Sequence, residues 1–287
     1  MVSVTKTDIA DGLRELGLGA GDGVMVHSSL SSFGYMEGGA EAVIAALEDV
    51  ITEEGTLLMP SFNHAGPWQK DPGAVYDPLV TPTKNGKIPD SFWRQPGVRR
   101  SWNPTHPYAA WGRRAEDYTR WHHRTLTMGP DSPLGMLWRD GGKCLLMGVD
   151  YGPNTFRHVV EMTTGAPCLG LRSEAYPIQL PDGRVVEGRT WGWRERGCPI
   201  LNPRGFMEEE MQRRGFQQQR RIGNSTVTLF LLEDCFRLIS EILKQGREEH
   251  PPCSRCTIRP EINPWTVESD WDAEKGYLKP DSPALNY

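Results

Sequence analysis

The sequence lacks several things, and each absence excludes a class of protein. It has no run of about 18 or more apolar residues, so no membrane-spanning helix is expected. It has no basic excess: 32 Lys and Arg stand against 37 Asp and Glu, a net charge of −5. A nucleic-acid binder normally presents a basic face, so that class is set aside. There is no GK[ST] ending to a glycine-rich loop, no GxGxxG, no internal repeat and no low-complexity segment. The opening stretch "MVSVTKTDIADGLRELG" has no apolar centre of signal-peptide type, which predicts a cytoplasmic protein. In that compartment the six cysteines, Cys144, Cys168, Cys198, Cys235, Cys253 and Cys256, read as free thiols with room for one metal site.

What is present reads as an α/β chain. Residues 4–17 have Ile9, Leu13 and Leu16 on one helical face. "DGVMVHSSL", "GTLLMPSF", "PYAAWG" and "KCLLMGV" read as strands, the last as the best buried one, with Cys144 an inert core thiol within it. "GGAEAVIAALEDVI" between the first two is a helix, so a βαβ unit is expected. "PDSFWRQ" starts a short helix, and residues 63–90 form a long loop. "AYPIQLPDGRVVEGRTWGW" holds a Pro-Asp-Gly turn between β-rich runs and predicts a hairpin. "STVTLFLLEDCFRLISEILKQ" runs from strand into helix. The expected architecture is a central mixed, largely parallel sheet flanked by helices, with a β-hairpin insertion. Residues 1–245 would form the main domain, and 246–287 an irregular extension packed on it.

Four short stretches carry chemistry. In "NTFRHVVE", 154–161, Asn154 or Thr155 can cap a helix, and His158 and Glu161 then share a face at i and i+3. A carboxylate beside an imidazole orients a general base; it also serves as an ordinary solvated pair. "VHSSLSSFG", 26–34, is a strand opening into a turn rich in backbone N–H groups, suited to phosphate or simply to capping a helix. "GVRRSWNP", 97–104, sets Arg99 and Arg100 beside Ser101, where arginines can grip phosphate. "HPPCSRC", 250–256, pairs Cys253 with Cys256. With Cys198 and His250 as a fourth ligand they would make a tetrahedral structural zinc site. The doublet His122–His123 has no further ligands at useful spacing and is expected on the surface.

The first three of these stretches, together with "GTLLMPSF", "GPDSPLGML" and "RRIGNSTVTLF", resemble the aminoglycoside 3-N-acetyltransferase family over roughly residues 5–240. The resemblance implies acetyl-CoA as donor and an aminoglycoside amine as acceptor, hence antibiotic resistance. It implies that His158 is the catalytic histidine, supported by Glu161. It further implies that His27, Ser28, Ser29 and Leu30 line the coenzyme A site together with Ser32 and Phe33. Arg100, Ser101, Ser132 and the turn at Arg221–Gly223 would lie nearby. The chain departs from the family's "RS-x-HP" by carrying Asn103 in the histidine's place. Asparagine keeps a hydrogen bond but cannot become charged. An atypical aminoglycoside, such as a kasugamycin-like compound, therefore fits as acceptor. So do amines of biosynthesis, nucleotide-linked or aminophosphonate, and a non-catalytic antibiotic-sequestering protein is the rival class. Asp71, Asp77 and Asp150 are candidate acceptor carboxylates, and Trp68, Trp191 and Trp193 candidate stacking rings. A monomer or a homodimer is expected.

Overall fold

The computed structural model describes residues 3–63, 75–164, 175–180, 182–189, 204–248, 271–272 and 277–278. In chain order these form β1 (Ser3–Val4), α1 (Lys6–Glu15), β2 (Gly23–Ser28), β3 (Tyr35–Met36), α2 (Gly39–Ile51) and β4 (Thr56–Pro60). Then come α3 (Lys87–Phe92), β5 (Arg99–Arg100), β6 (Tyr108–Gly112), α4 (Ala115–Thr119), α5 (Pro133–Arg139), β7 (Lys143–Met147) and α6 (Phe156–Thr163). The rest are β8 (Ala175–Gln179), β9 (Val185–Arg189), α7 (Arg204–Arg213), β10 (Gln217–Ile222), β11 (Ser225–Leu231), α8 (Leu232–Glu248), β12 (Trp271–Asp272) and β13 (Tyr277–Leu278).

Seven strands make one sheet in the order β10-β11-β7-β2-β4-β6-β5. The expected mixed sheet is there, but parallel pairing is confined to its centre. β2 runs parallel to both β4 and β7. Both flanks are antiparallel, because β10–β11 and β5–β6 are local returns at the two edges. The expected hairpin is β8–β9, pairing Ala175 with Arg189 through Gln179 with Val185. It docks through Tyr76, which bridges Ile178 and donates its hydroxyl to the Ser101 carbonyl at 2.8 Å.

The central strands are apolar on both sides, and successive residues feed opposite cores. Val24, Val26, Leu57, Met59, Leu145 and Met147 pack under α1, α2 and α3. Met25, Leu58, Cys144 and Leu146 pack under α5, α6, α7 and α8. Helix α1 begins with a reciprocal capping box between Thr5 and Asp8 and buries Ile9 and Leu13 fully. Each such side chain contributes roughly 1.5–3 kcal/mol by leaving water. Cys144 is the buried core thiol expected of it, and burial holds its ionisation well above the usual thiol range.

Candidate active site

In a sheet of this kind the carboxyl ends of the parallel strands form a ready binding crevice where the chain switches direction across the sheet. Here β2 connects through α2 to β4 on one side, while β7 pairs on the other. The switch point is therefore the end of β2 beside β7. His27–Phe33 leave β2 there, and the segment from Gly148 to α6 leaves β7.

The turn after β2 is a single 3-10 turn, Leu30–Phe33, entered from Ser29. Ser29 is tied to β7, its N–H donating to the Met147 carbonyl at 2.9 Å. Leu30 and Ser31 begin the turn, so they have no carbonyl within it to receive their N–H groups. Ser32 Oγ donates to the Ser29 carbonyl at 2.7 Å and lies 2.9 Å from Ser225 Oγ on β11. Phe33 is fully buried. Gly148, with φ of 69°, must be glycine: a Cβ would lie 1.8 Å from Ser32 Oγ. Gly223 plays the matching part in the β10–β11 turn, where a Cβ would meet Val4 at 2.3 Å. Next along, the Asn224 N–H reaches the Phe33 carbonyl at 3.4 Å and links this turn to the one after β2. The Arg221 side chain bonds the Asn224 carbonyl at 2.9 Å.

Helix α6 presents the central pair. Asn154 is buried, and its Oδ1 accepts from the Phe156 N–H at 3.1 Å; the Thr155 side chain makes no capping bond. Phe156, Val159 and Val160 anchor the inner face in the core. That leaves His158 at the rim, its side chain 27% exposed, and Glu161 behind it at 0%. His158 Nδ1 lies 2.7 Å from Glu161 Oε2. An ionised carboxylate only accepts, so the Nδ1 proton points at Glu161 and the lone pair sits on Nε2. Glu161 is sealed and His158 is open at the rim, an arrangement suited to proton abstraction.

The other candidates take scaffold positions. Arg100 is buried, donating to the carbonyls of Pro78, Thr81 and Ser61 and stacking over Trp93 at 4.5 Å. Ser101 Oγ accepts from the Tyr108 N–H and donates to His122 Nδ1, both at 2.8 Å. His122 Nε2 donates in turn to the Thr127 carbonyl at 2.8 Å. Ser132 caps α5, accepting from the Gly135 N–H. Asn103 Oδ1 gathers the N–H groups of Thr105 and His106 and the Thr105 hydroxyl, so it holds a tight turn. Asp77 and Asp150 each close their own turn, on Leu79 and Gly152. The expectation of a surface His122–His123 is corrected: both are buried, His122 because Ser101 and Thr127 satisfy its ring. Distant sequence partners gave no local signal of that.

Cys198, Cys253, Cys256 and His250 lie outside the described residues, as do Asp71, Trp68, Trp191 and Trp193. Among the described residues no group of three metal-ligating side chains occurs, and no helix is long and apolar enough to cross a membrane.

An α/β enzyme with a carboxylate-backed histidine at its sheet's switch point is an acyltransferase once its relatives are considered. Residues 25–244 match the profile of the family described as aminoglycoside 3-N-acetyltransferase, and the chain belongs to that family. Aminoglycoside N(3)-acetyltransferase VII of Streptomyces paromomycinus is 39% identical over 198 residues, 64% of this chain and 68% of the relative. The crystal structure of aminoglycoside acetyltransferase AAC(3)-Xa superposes with a TM-score of 0.76 at 28% identity, covering 85% of this chain and 93% of its own. AAC-IIIb in binary complex with CoASH superposes at 0.73 and 26% identity, covering 85% and 97%.

Proposed function

We propose that this enzyme moves the acetyl group of acetyl-CoA onto an amine of an aminoglycoside, and that His158 is the general base. The observation that carries the reading is the 2.7 Å contact between a half-open imidazole and a fully buried carboxylate. A substrate amine is largely ammonium near neutral pH and must shed a proton before it attacks. His158 Nε2 takes that proton, and Glu161 stabilises the imidazolium. The amine nitrogen then bonds to the thioester carbon; as the C–S bond breaks, coenzyme A leaves as its thiolate and takes up the second proton that the nitrogen sheds. The 27–33 turn receives the donor, and its backbone N–H groups, those of Leu30 and Ser31 among them, are donors for the negative charge that develops. The acceptor's ammonium groups call for carboxylates, in keeping with the chain's acidic balance. The reaction belongs in the cytoplasm, where the donor is made.

The test is thiol release from acetyl-CoA against a panel of amines. The panel includes common aminoglycosides, a kasugamycin-like compound, and nucleotide-linked and aminophosphonate amines. Release that depends on an aminoglycoside supports the proposal; release with only the biosynthetic amines, or none, overturns it. The zinc reading rests on the spacing of Cys198, Cys253 and Cys256 with His250. Elemental analysis of purified protein should find about one zinc per chain, the value for a closed four-ligand site.

A further inference from the structure

His27 sits at the end of β2, and its burial is almost complete, at 4% exposure. Its Nε2 is buried and has no hydrogen-bond partner among the described residues. Buried polar atoms are ordinarily paired, so an orphan at a binding crevice calls for an explanation. Alternation along β2 supplies the direction. Val24 and Val26 belong to the core under α1 and α2, whereas Met25 belongs to the core that holds Phe156, Val159 and Val160 of α6. His27 shares the face of Met25 and so points to the layer that carries His158. Ser28 also has a buried, unpartnered hydroxyl, but its parity puts it on the opposite face. Burial pushes the His27 imidazole down to about 4, so it is neutral at physiological pH.

We propose that His27 is a second catalytic residue, whose Nε2–H donates a hydrogen bond to the thioester carbonyl oxygen of bound acetyl-CoA. The proposal rests on the donor reading given above. As the amine nitrogen bonds to the carbonyl carbon, the carbonyl π pair moves onto oxygen, and the Nε2–H holds that charge. When the C–S bond breaks, the pair returns and the thiolate departs. The Nε2 proton stays on His27 throughout; His158 takes the first proton from the nitrogen and the departing thiolate takes the second. A neutral imidazole suits this task, because it polarises a carbonyl without surrendering its hydrogen.

The experiment uses acetyl-CoA labelled with ¹³C at the carbonyl, bound to the full chain without acceptor and read by difference infrared spectroscopy. In the wild type the carbonyl band should move to lower wavenumber than in free acetyl-CoA. In His27→Phe that displacement should vanish while acetyl-CoA still binds, with kcat lowered roughly 10²- to 10³-fold and KM for the donor little changed. His27→Gln keeps an N–H and should recover part of both signals, which separates donation from mere packing. An undisplaced band in bound wild type, or an equal displacement in His27→Phe, overturns the assignment of His27 alone. If His27→Phe does not fold, His27→Gln decides: loss of the displacement and of kcat with no recovery overturns it. If the wild type fails to bind acetyl-CoA at all, the donor reading falls and takes this inference with it.

Discussion

Two histidines in this molecule are each held by an oxygen at short range, yet they are suited to opposite tasks. His122 is wrapped on both nitrogens: the Ser101 hydroxyl donates to one, and the other donates to a carbonyl. The Thr127 carbonyl alone would favour a charged ring, but burial outweighs it and pushes the ionisation of His122 down to about 3. A Ser–His contact that looks like nucleophile and base is here a structural rivet between 101–108 and 122–127. His158 has a carboxylate on one nitrogen and an open rim on the other. The lesson is that hydrogen-bond distance does not make a base. The sign of the partner and the vacancy of the second nitrogen do.

The largest effect expected from this contrast is at His158. His158→Ala should lower kcat about 10²- to 10⁴-fold, on the order of 3–5 kcal/mol, with little change in the unfolding midpoint. Turnover near normal in steady-state assays would erase the distinction between the two rings. Ser101→Ala should act the other way round. It strips His122 Nδ1 and the Tyr108 N–H of their partner and should cost about 1–3 kcal/mol of stability by urea unfolding. Acetyl transfer per folded molecule should change much less.

Acid sharpens the contrast further. His27 and His122 are held below the ordinary histidine value, so the unfolded chain takes up protons first as the pH drops. Their contribution is intact above about pH 6.5 and is lost as the pH falls toward 4 and 3. Each ring should add roughly 1.4 kcal/mol of destabilisation per pH unit in that window, read from urea midpoints between pH 7 and 5. His122→Gln, which cannot titrate, should halve the slope. The smallest expected effect is at Asn154, where Asn154→Ala removes the first-turn acceptor of α6. About 1 kcal/mol should be lost, with a modest fall in kcat as the His158 helix frays.

Local patterns carried much of this into view from the sequence. The apolar runs at 23–28, 56–60 and 143–147 are strands because buried parallel strands are apolar on both faces, and the i, i+3 pair on α6 is a contact. Direction was less legible. Nothing in "PYAAWG" says that β6 runs against β4, since pairing is decided by how the chain returns across 61–107. Helix α7 has buried Met207 and Met211 among charged neighbours, too sparse a stripe to betray it. The Ser101–His122 rivet spans 21 positions and has no periodicity to read. At Asn103 the sequence shows only an amide side chain, and its three bonds to Thr105 and His106 show how the turn is kept.

Strand β7 has a mechanical consequence. Its last residue, Met147, clasps the turn after β2, and the same segment continues into the helix that bears His158. In the proposed reaction, the turn that receives the donor and the helix that bears the base are thus mounted on one beam. Their separation is set when the chain folds, so high effective molarity is inherited rather than assembled at each turnover.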